Sequence, residues 1–300
     1  MAEASEWPAL PLAPWEQTRA TLHMWTQIVG KVRLALSAYQ NHWWQVPLYV
    51  SARGLATSAI PFRGGNFDIE FDFIDHQLFV RTSEGRTKTM ALAPKSVAAV
   101  HAELMAVLRA LGIDVQIWTM PVEIPNPIAF EKDETHASYD PAQASRFWRV
   151  LSLADSVLKE FRGRFIGKCS PVHFFWGSFD LAVTRFSGRR APPIQGADSI
   201  TREAYSHEVS SVGWWPGDAM IRAPAFYTYA SPQPPGFSEA SVRPAATRFN
   251  KDLSQFLLMY DDARQSPSPR QAILDYCQST YEAAANLGRW DRAALERAPT

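Results

Sequence analysis

The chain has 300 residues, 46% hydrophobic and 20% charged, which is the make-up of a globular protein with ample core material. Thirty basic and thirty acidic residues cancel to a formal net charge of zero, so nucleic acid and membrane surfaces find no general electrostatic attraction. No apolar run reaches the roughly 18 residues that span a bilayer, and the acidic opening Met1–Glu6 lacks a leader pattern.

Residues 1–14 are Pro-rich and read as extended. From Trp15 to Leu36 the apolar positions Leu22, Trp25, Ile28, Val29 and Val32 recur at helical spacing. Residues 43–60 then read as a strand. Phe67-Asp68-Ile69-Glu70-Phe71-Asp72-Phe73 alternates apolar with acidic side chains, as a half-buried strand does. Strands at 77–81 and 87–93 follow. Ser96 is placed to cap a helix that runs to Leu111 and stops at Gly112.

Pro121, Pro125 and Pro127 make residues 121–139 a connector, of a length that in compact proteins often covers a site. Beyond it the order repeats. A helix over about 141–161 has Asp140 as its cap and Pro141 at its first position. Strands are expected at 171–186, 204–214 and 225–230, with helical stretches over 239–262 and 270–287. The whole reads as α+β: two similar α-β-β-β-α halves, residues 1–120 and 140–300, sharing one antiparallel sheet covered by helices in a single compact unit.

Several motifs fail on inspection. Gly163–Cys169 is one residue short of a phosphate loop and lacks its Ser or Thr. His207-Glu208 has no second His four residues on, so it is not a zincin, and no dinucleotide-binding glycine triplet precedes a helix. No nucleotide cofactor is expected. Cys169 and Cys277 lie far apart, with neither metal-knuckle nor redox spacing, and fit a reducing cytoplasm.

What remains is a polar-studded aromatic stretch over 171–186 and a second one over 203–211. Read as one strand, the first puts Phe174, Trp176, Ser178, Asp180, Ala182 and Thr184 on one face, apolar walls with a few orienting groups. His173 or His207 would be general base, or the two would hold a divalent metal, with Asp180 or Glu208 as partner. Arg185 would anchor an anionic ligand, Trp176 would stack on it and Trp214 would close over it. The paired indoles Trp43-Trp44 and Trp214-Trp215 require either both sheet faces covered or one Trp of each pair in a pocket.

The runs KCSPVHFFWGSFDLAVTRFSGRRAPP (168–193), REAYSHEVSS (202–211) and WPALPLAPWEQTRATLHMWTQIVGKVRLAL (7–36) together resemble a bacterial family catalogued only as a domain of unknown function. The resemblance covers about Trp7 to about Arg297 and implies no reaction, ligand or cofactor. The expectation from the residues is therefore a small-molecule pocket protein, an enzyme acting on an anionic or aromatic metabolite, with neither nucleic acid nor membrane as partner. A non-catalytic binding or sensor protein, and a scaffold presenting exposed Trp pairs, are the readings from other classes.

Overall fold

A computed structural model describes residues 6–298. The first five residues, part of the predicted extended opening and of the acidic segment read for a leader pattern, lie outside the described residues.

Helix α1 spans Glu16–Leu36 and is buried along most of its length. The predicted strand over 43–60 is broken instead. A helical turn at Asn41–Trp43 puts His42 and Trp43 in left-handed backbone, and only β1 (Tyr49–Val50) and β2 (Gly54–Ala56) are extended. Strands β3 (Ile60–Phe62), β4 (Gly65–Asp72), β5 (Gln77–Thr82) and β6 (Thr87–Ala91) follow. Helix α2 (Val97–Ala110) starts where predicted, with the Ser96 side chain accepting from the Ala99 N–H, and Gly112 beyond its end has a φ of +79°.

In the second half, α3 (Pro141–Gly163) is capped by Asp140, which accepts from the N–H groups of Ala142 and Gln143. Next come β7 (His173–Phe175), β8 (Asp180–Arg190), α4 (Ser199–Ala204), β9 (His207–Trp215) and β10 (Ala225–Ser231). The stretch 239–262, expected to be helical, holds β11 (Arg248–Asn250), β12 (Gln255–Met259) and the one-turn α5 (Tyr260–Arg264). Its run Phe256-Leu257-Leu258-Met259 is apolar throughout, and periodicity alone does not separate a buried strand from a helix there. Helices α6 (Pro269–Leu287) and α7 (Arg292–Leu295) complete the chain.

The architecture is α+β with antiparallel pairing throughout, but the strands form two six-stranded sheets rather than one. The first runs β1-β2-β4-β5-β6 with β3 on β4, the second β11-β12-β10-β9-β8-β7. Six strands, not three, follow the first long helix of each half, with the short α4 inserted between β8 and β9 in the second. The sheets meet at one bridge, where Leu48 and Phe174 exchange backbone hydrogen bonds of 2.9 and 2.8 Å. One hydrophobic cluster runs across both, joining Phe71 of the first sheet to Phe147, Phe174, Trp214 and Tyr260 of the second half.

Helices α3 and α6 pack on one face of the second sheet. Phe147 of α3 stacks on Phe179 and Trp214, and the Tyr276 hydroxyl of α6 donates to the Phe256 carbonyl at 2.7 Å. The other face opens onto a cavity, to whose lining the short α4 and the helical turn at Asn41–Trp43 contribute. None of the described helices is long and apolar enough to cross a membrane.

Candidate functional site

The stretch 171–186 is a hairpin, not one strand, and this rearranges its faces. Residues 176–179 form a tight turn, with the Phe179 N–H on the Phe175 carbonyl and Phe179 at a φ of +60°. Register then places His173 opposite Ala182 and Phe175 opposite Asp180. Opposed residues of an antiparallel pair share a face. His173 and Phe175 thus join Asp180, Ala182, Thr184 and Phe186, while Phe174 turns to the helical side with Leu181, Val183 and Arg185.

The cavity on the first of these faces encloses about 560 Å³, within the range of small-molecule pockets. Its floor is the outward side of three strands: Ala182 and Thr184 on β8, Val209 and Ser211 on β9, Tyr227 and Tyr229 on β10. Trp44, Phe175, Tyr205 and Trp215 supply aromatic wall, and Ile200 and Met220 stand exposed at the rim.

Asp180 and Glu123 form the polar end. The Ser178 hydroxyl in the turn donates to Asp180 at 2.7 Å, and the Tyr227 hydroxyl donates to the other Asp180 oxygen. Glu123 reaches the same Ser178 from the connector, against the turn glycine: a Cβ on Gly177 would stand 2.3 Å from its carboxylate. Gly213 of β9 plays the same part for Tyr227, since a Cβ there would lie 2.3 Å from the phenol oxygen. Bare backbone at these two positions lets the carboxyl and the phenol converge on the turn.

Burial pushes the Asp180 carboxyl up to about 6, against the pull of its bonds to Tyr227 and Ser178, and the neighbouring Glu123 charge adds to the rise. Burial also raises Glu123. Ser178 donates to Asp180, and the two desolvated carboxyls stand near enough that the Glu123 charge raises Asp180.

A second string runs along the floor. The Tyr205 and Tyr229 hydroxyls are 2.8 Å apart, Tyr229 bonds Ser211, and Ser211 meets Thr184 at 2.9 Å. At the far end His42 lines the cavity. Its Nδ1–H donates to the Glu203 carbonyl at 3.0 Å, which leaves Nε2 to accept from the Lys168 ammonium at 2.6 Å. Burial lowers the His42 pKa, and Lys168 lowers it further.

Of the residues given a catalytic, binding or metal role from the sequence, Ser178 and Asp180 line the cavity, as do Ala182 and Thr184 of the same predicted face and one indole of each pair, Trp44 and Trp215. His173 lies beneath it, fully buried between Trp44 and Tyr49, with the Tyr49 hydroxyl 3.4 Å from Nε2. Burial holds its pKa at about 3, so it is neutral. Trp176 is a core wedge whose indole N–H donates to the Val46 carbonyl at 2.8 Å while its ring covers Gly30 of α1. Trp214 points into the core against Phe147 and Tyr260, and its neighbour Trp215 takes the cavity side.

Arg185 faces the helices, not the cavity. Its guanidinium sits 3.5 Å from the Phe161 ring centre and 4.3 Å from that of Tyr281, and Nη2 donates to the Phe161 carbonyl. It cannot anchor a ligand in the cavity. Glu208 pairs with Arg189 at 2.6 Å on the surface.

His207 pairs opposite Arg190, whereas His173 sits opposite Ala182, and the rings of His42 and Trp44 stand in line between the two imidazoles, at 5.7 Å from His207 and 6.2 Å from His173 respectively. The two imidazoles do not meet. No cluster of three or more His, Cys, Asp or Glu among the described residues is placed to hold a metal ion, so this donor set does not fit a divalent metal.

Glu123 is the cavity carboxylate that its own sequence context does not announce. The connector was expected to cover a site, but nothing near Glu123 distinguishes it from any loop carboxylate. It is held there from a distance: the Gln27 amide of α1 bonds both the Val122 N–H (2.9 Å) and the Val122 carbonyl (2.8 Å), and Glu123 itself adopts a φ of +57°.

The protein is thus an antiparallel α+β fold with an aromatic cavity that ends at two desolvated carboxyls. The chain belongs to the Family of unknown function (DUF5996), whose model matches residues 7–297. No curated protein and no solved structure gives a significant match.

Proposed function

We propose that the chain is an enzyme that transfers protons on a small metabolite bound in this cavity, with Asp180 and Glu123 as acid and base. The observation that carries the reading is the carboxyl pair: Asp180 and Glu123, both desolvated, at one end of an open cavity, with Ser178 donating to Asp180. Two carboxyls that burial raises toward neutral pH are the kind of groups general acid–base chemistry uses. Tyr227 tunes Asp180, and the aromatic walls suit a planar ligand body. A scaffold would fill this space with its own side chains and expose its Trp pairs. Instead the cavity is open, Trp214 is buried, and Trp44 and Trp215 line the space. A cytoplasmic setting belongs to the same proposal, supported by the free thiols of Cys169 and Cys277.

The test is to incubate the protein in D2O with a defined mixture of small metabolites and follow each mass and retention time. The expected result is deuterium uptake or conversion of one compound by the wild type, slowed at least about a hundredfold by Asp180→Asn and by Glu123→Gln, the scale of a lost general acid or base. A reaction that both variants leave unchanged, or no exchange and no conversion of any compound, refutes the assigned roles.

A further inference from the structure

The charge around the cavity is lopsided. Asp180 and Glu123 stand at one end and Asp218 on the lining, while neither Arg nor Lys is among the lining residues described. The nearest candidates are engaged elsewhere: Arg185 lies on the opposite face, Arg189 is on Glu208, and Lys168 donates to His42 at the far end. An anionic ligand would meet two carboxyls and no counter-charge. The anion expected from Arg185 is thereby replaced by its opposite.

The walls point the same way. Phe175 is paired opposite Asp180, and Trp215, Tyr227 and Tyr229 pack with it in one apolar group around Ala182. Trp215 and Tyr227 have ring centres 5.2 Å apart, and Tyr227 and Tyr229 stack at 6.3 Å. Aromatic faces beside a carboxylate attract a cation through the ring quadrupole and the ion pair together. The Trp215 indole N–H, buried at the cavity wall, has no acceptor among the described residues, which leaves a donor for a polar group of the ligand.

We propose that the ligand is a small primary amine with an aromatic body, its ammonium group held at Asp180 and Glu123 among Phe175, Trp215 and Tyr227. This rests on the cavity's being the ligand site, as argued above. It adds the sign of the ligand's charge and the end at which that charge sits. Binding then couples to protons. The amine needs an ionised partner, and the groups facing Asp180 are Glu123 from the connector, Ser178 from the turn and Tyr227 from β10.

Three probes of nearly one shape separate the possibilities: phenethylamine, phenethyl alcohol and phenylacetate, titrated calorimetrically into the full chain at about pH 8. The expected result is that the amine binds at least about tenfold tighter than the alcohol, with phenylacetate weakest. Asp180→Asn should abolish the amine's advantage and spare the alcohol. Glu123→Gln serves the same purpose on a loop, outside the sheet, should the Asp180 variant misfold. Lowering the pH to about 5 should weaken the amine about tenfold and leave the alcohol unchanged. Equal binding of amine and alcohol overturns the cationic assignment while the cavity stands as a ligand site. Tighter binding of phenylacetate overturns it by sign. Binding of none of the three overturns both the amine assignment and the reading of this cavity on which it rests.

Discussion

Placing the Asp180 carboxylate where water solvates it poorly costs free energy, and its position at the end of a sheet cavity explains why the chain carries that cost. The folded-state pKa is raised from 3.8 to about 6. The folded protein therefore holds the proton more tightly than the unfolded chain does, and the ionisation penalty is absent below the lower value and complete above the higher one. Its size is about 3 kcal/mol at order of magnitude. Asp180→Asn, which cannot ionise, should match wild type near about pH 4 and exceed it in stability by up to about 3 kcal/mol above about pH 6. Urea unfolding across that window measures the difference. A gap that stays flat from acid to neutral pH would contradict the burial of a charge at Asp180. Arg185 shows the converse case of a buried ion, a guanidinium among Phe161, Phe165 and Tyr281 that serves the packing beneath the sheet.

At the scale of elements, the site depends on where β-strands have no side chain. Gly213 leaves room for the Tyr227 ring, and with it the short approach of Tyr227 to Asp180. Gly213→Ala would also press on the Leu181 carbonyl at 2.5 Å, so the strand must shift. An overpacking cost of about 1–3 kcal/mol follows. Tyr227 donates to the ionised carboxylate and holds its pKa down, so Gly213→Ala and Tyr227→Phe should both move the Asp180 titration upward. Carboxyl ¹³C NMR of the side chain reads this directly, and a downward or unchanged titration in both variants would remove Tyr227 from its role.

The hairpin also shows how far the sequence can be read. Asp180 and Ser178 stand out because a polar residue in an aromatic strand is conspicuous. The α3 cap at Asp140 and the alternation of Phe67, Ile69 and Phe71 are legible because local chemistry decides them. The turn at 176–179 carries a local signal, Gly177-Ser178 between two aromatic runs, that the single-strand reading passes over, and missing it reverses the face of His173 and Phe174. Arg185 alternates correctly with Thr184, but which face the helices cover is settled by tertiary packing. Glu123 depends on Gln27, nearly a hundred positions away in the chain, and no periodicity carries that contact.

Across the whole molecule, the two sheets share one hydrophobic cluster and touch at Leu48 and Phe174, which fixes α1 and the connector against the second sheet. The cavity is a product of this assembly. Trp44 and Glu123 come from before α3, while the floor comes from β8, β9 and β10. That composite origin is why neither half carries a self-sufficient motif. The account's central claim, that this face of the second sheet is the functional site, is tested most directly by soaking crystals of the full chain with a library of small aromatic fragments and locating those that bind. The prediction is that bound fragments gather over Ala182 and Ser211, between Trp44 and Trp215, with polar groups turned to Asp180 and Glu123. Fragments that bind elsewhere while this face stays empty would contradict it.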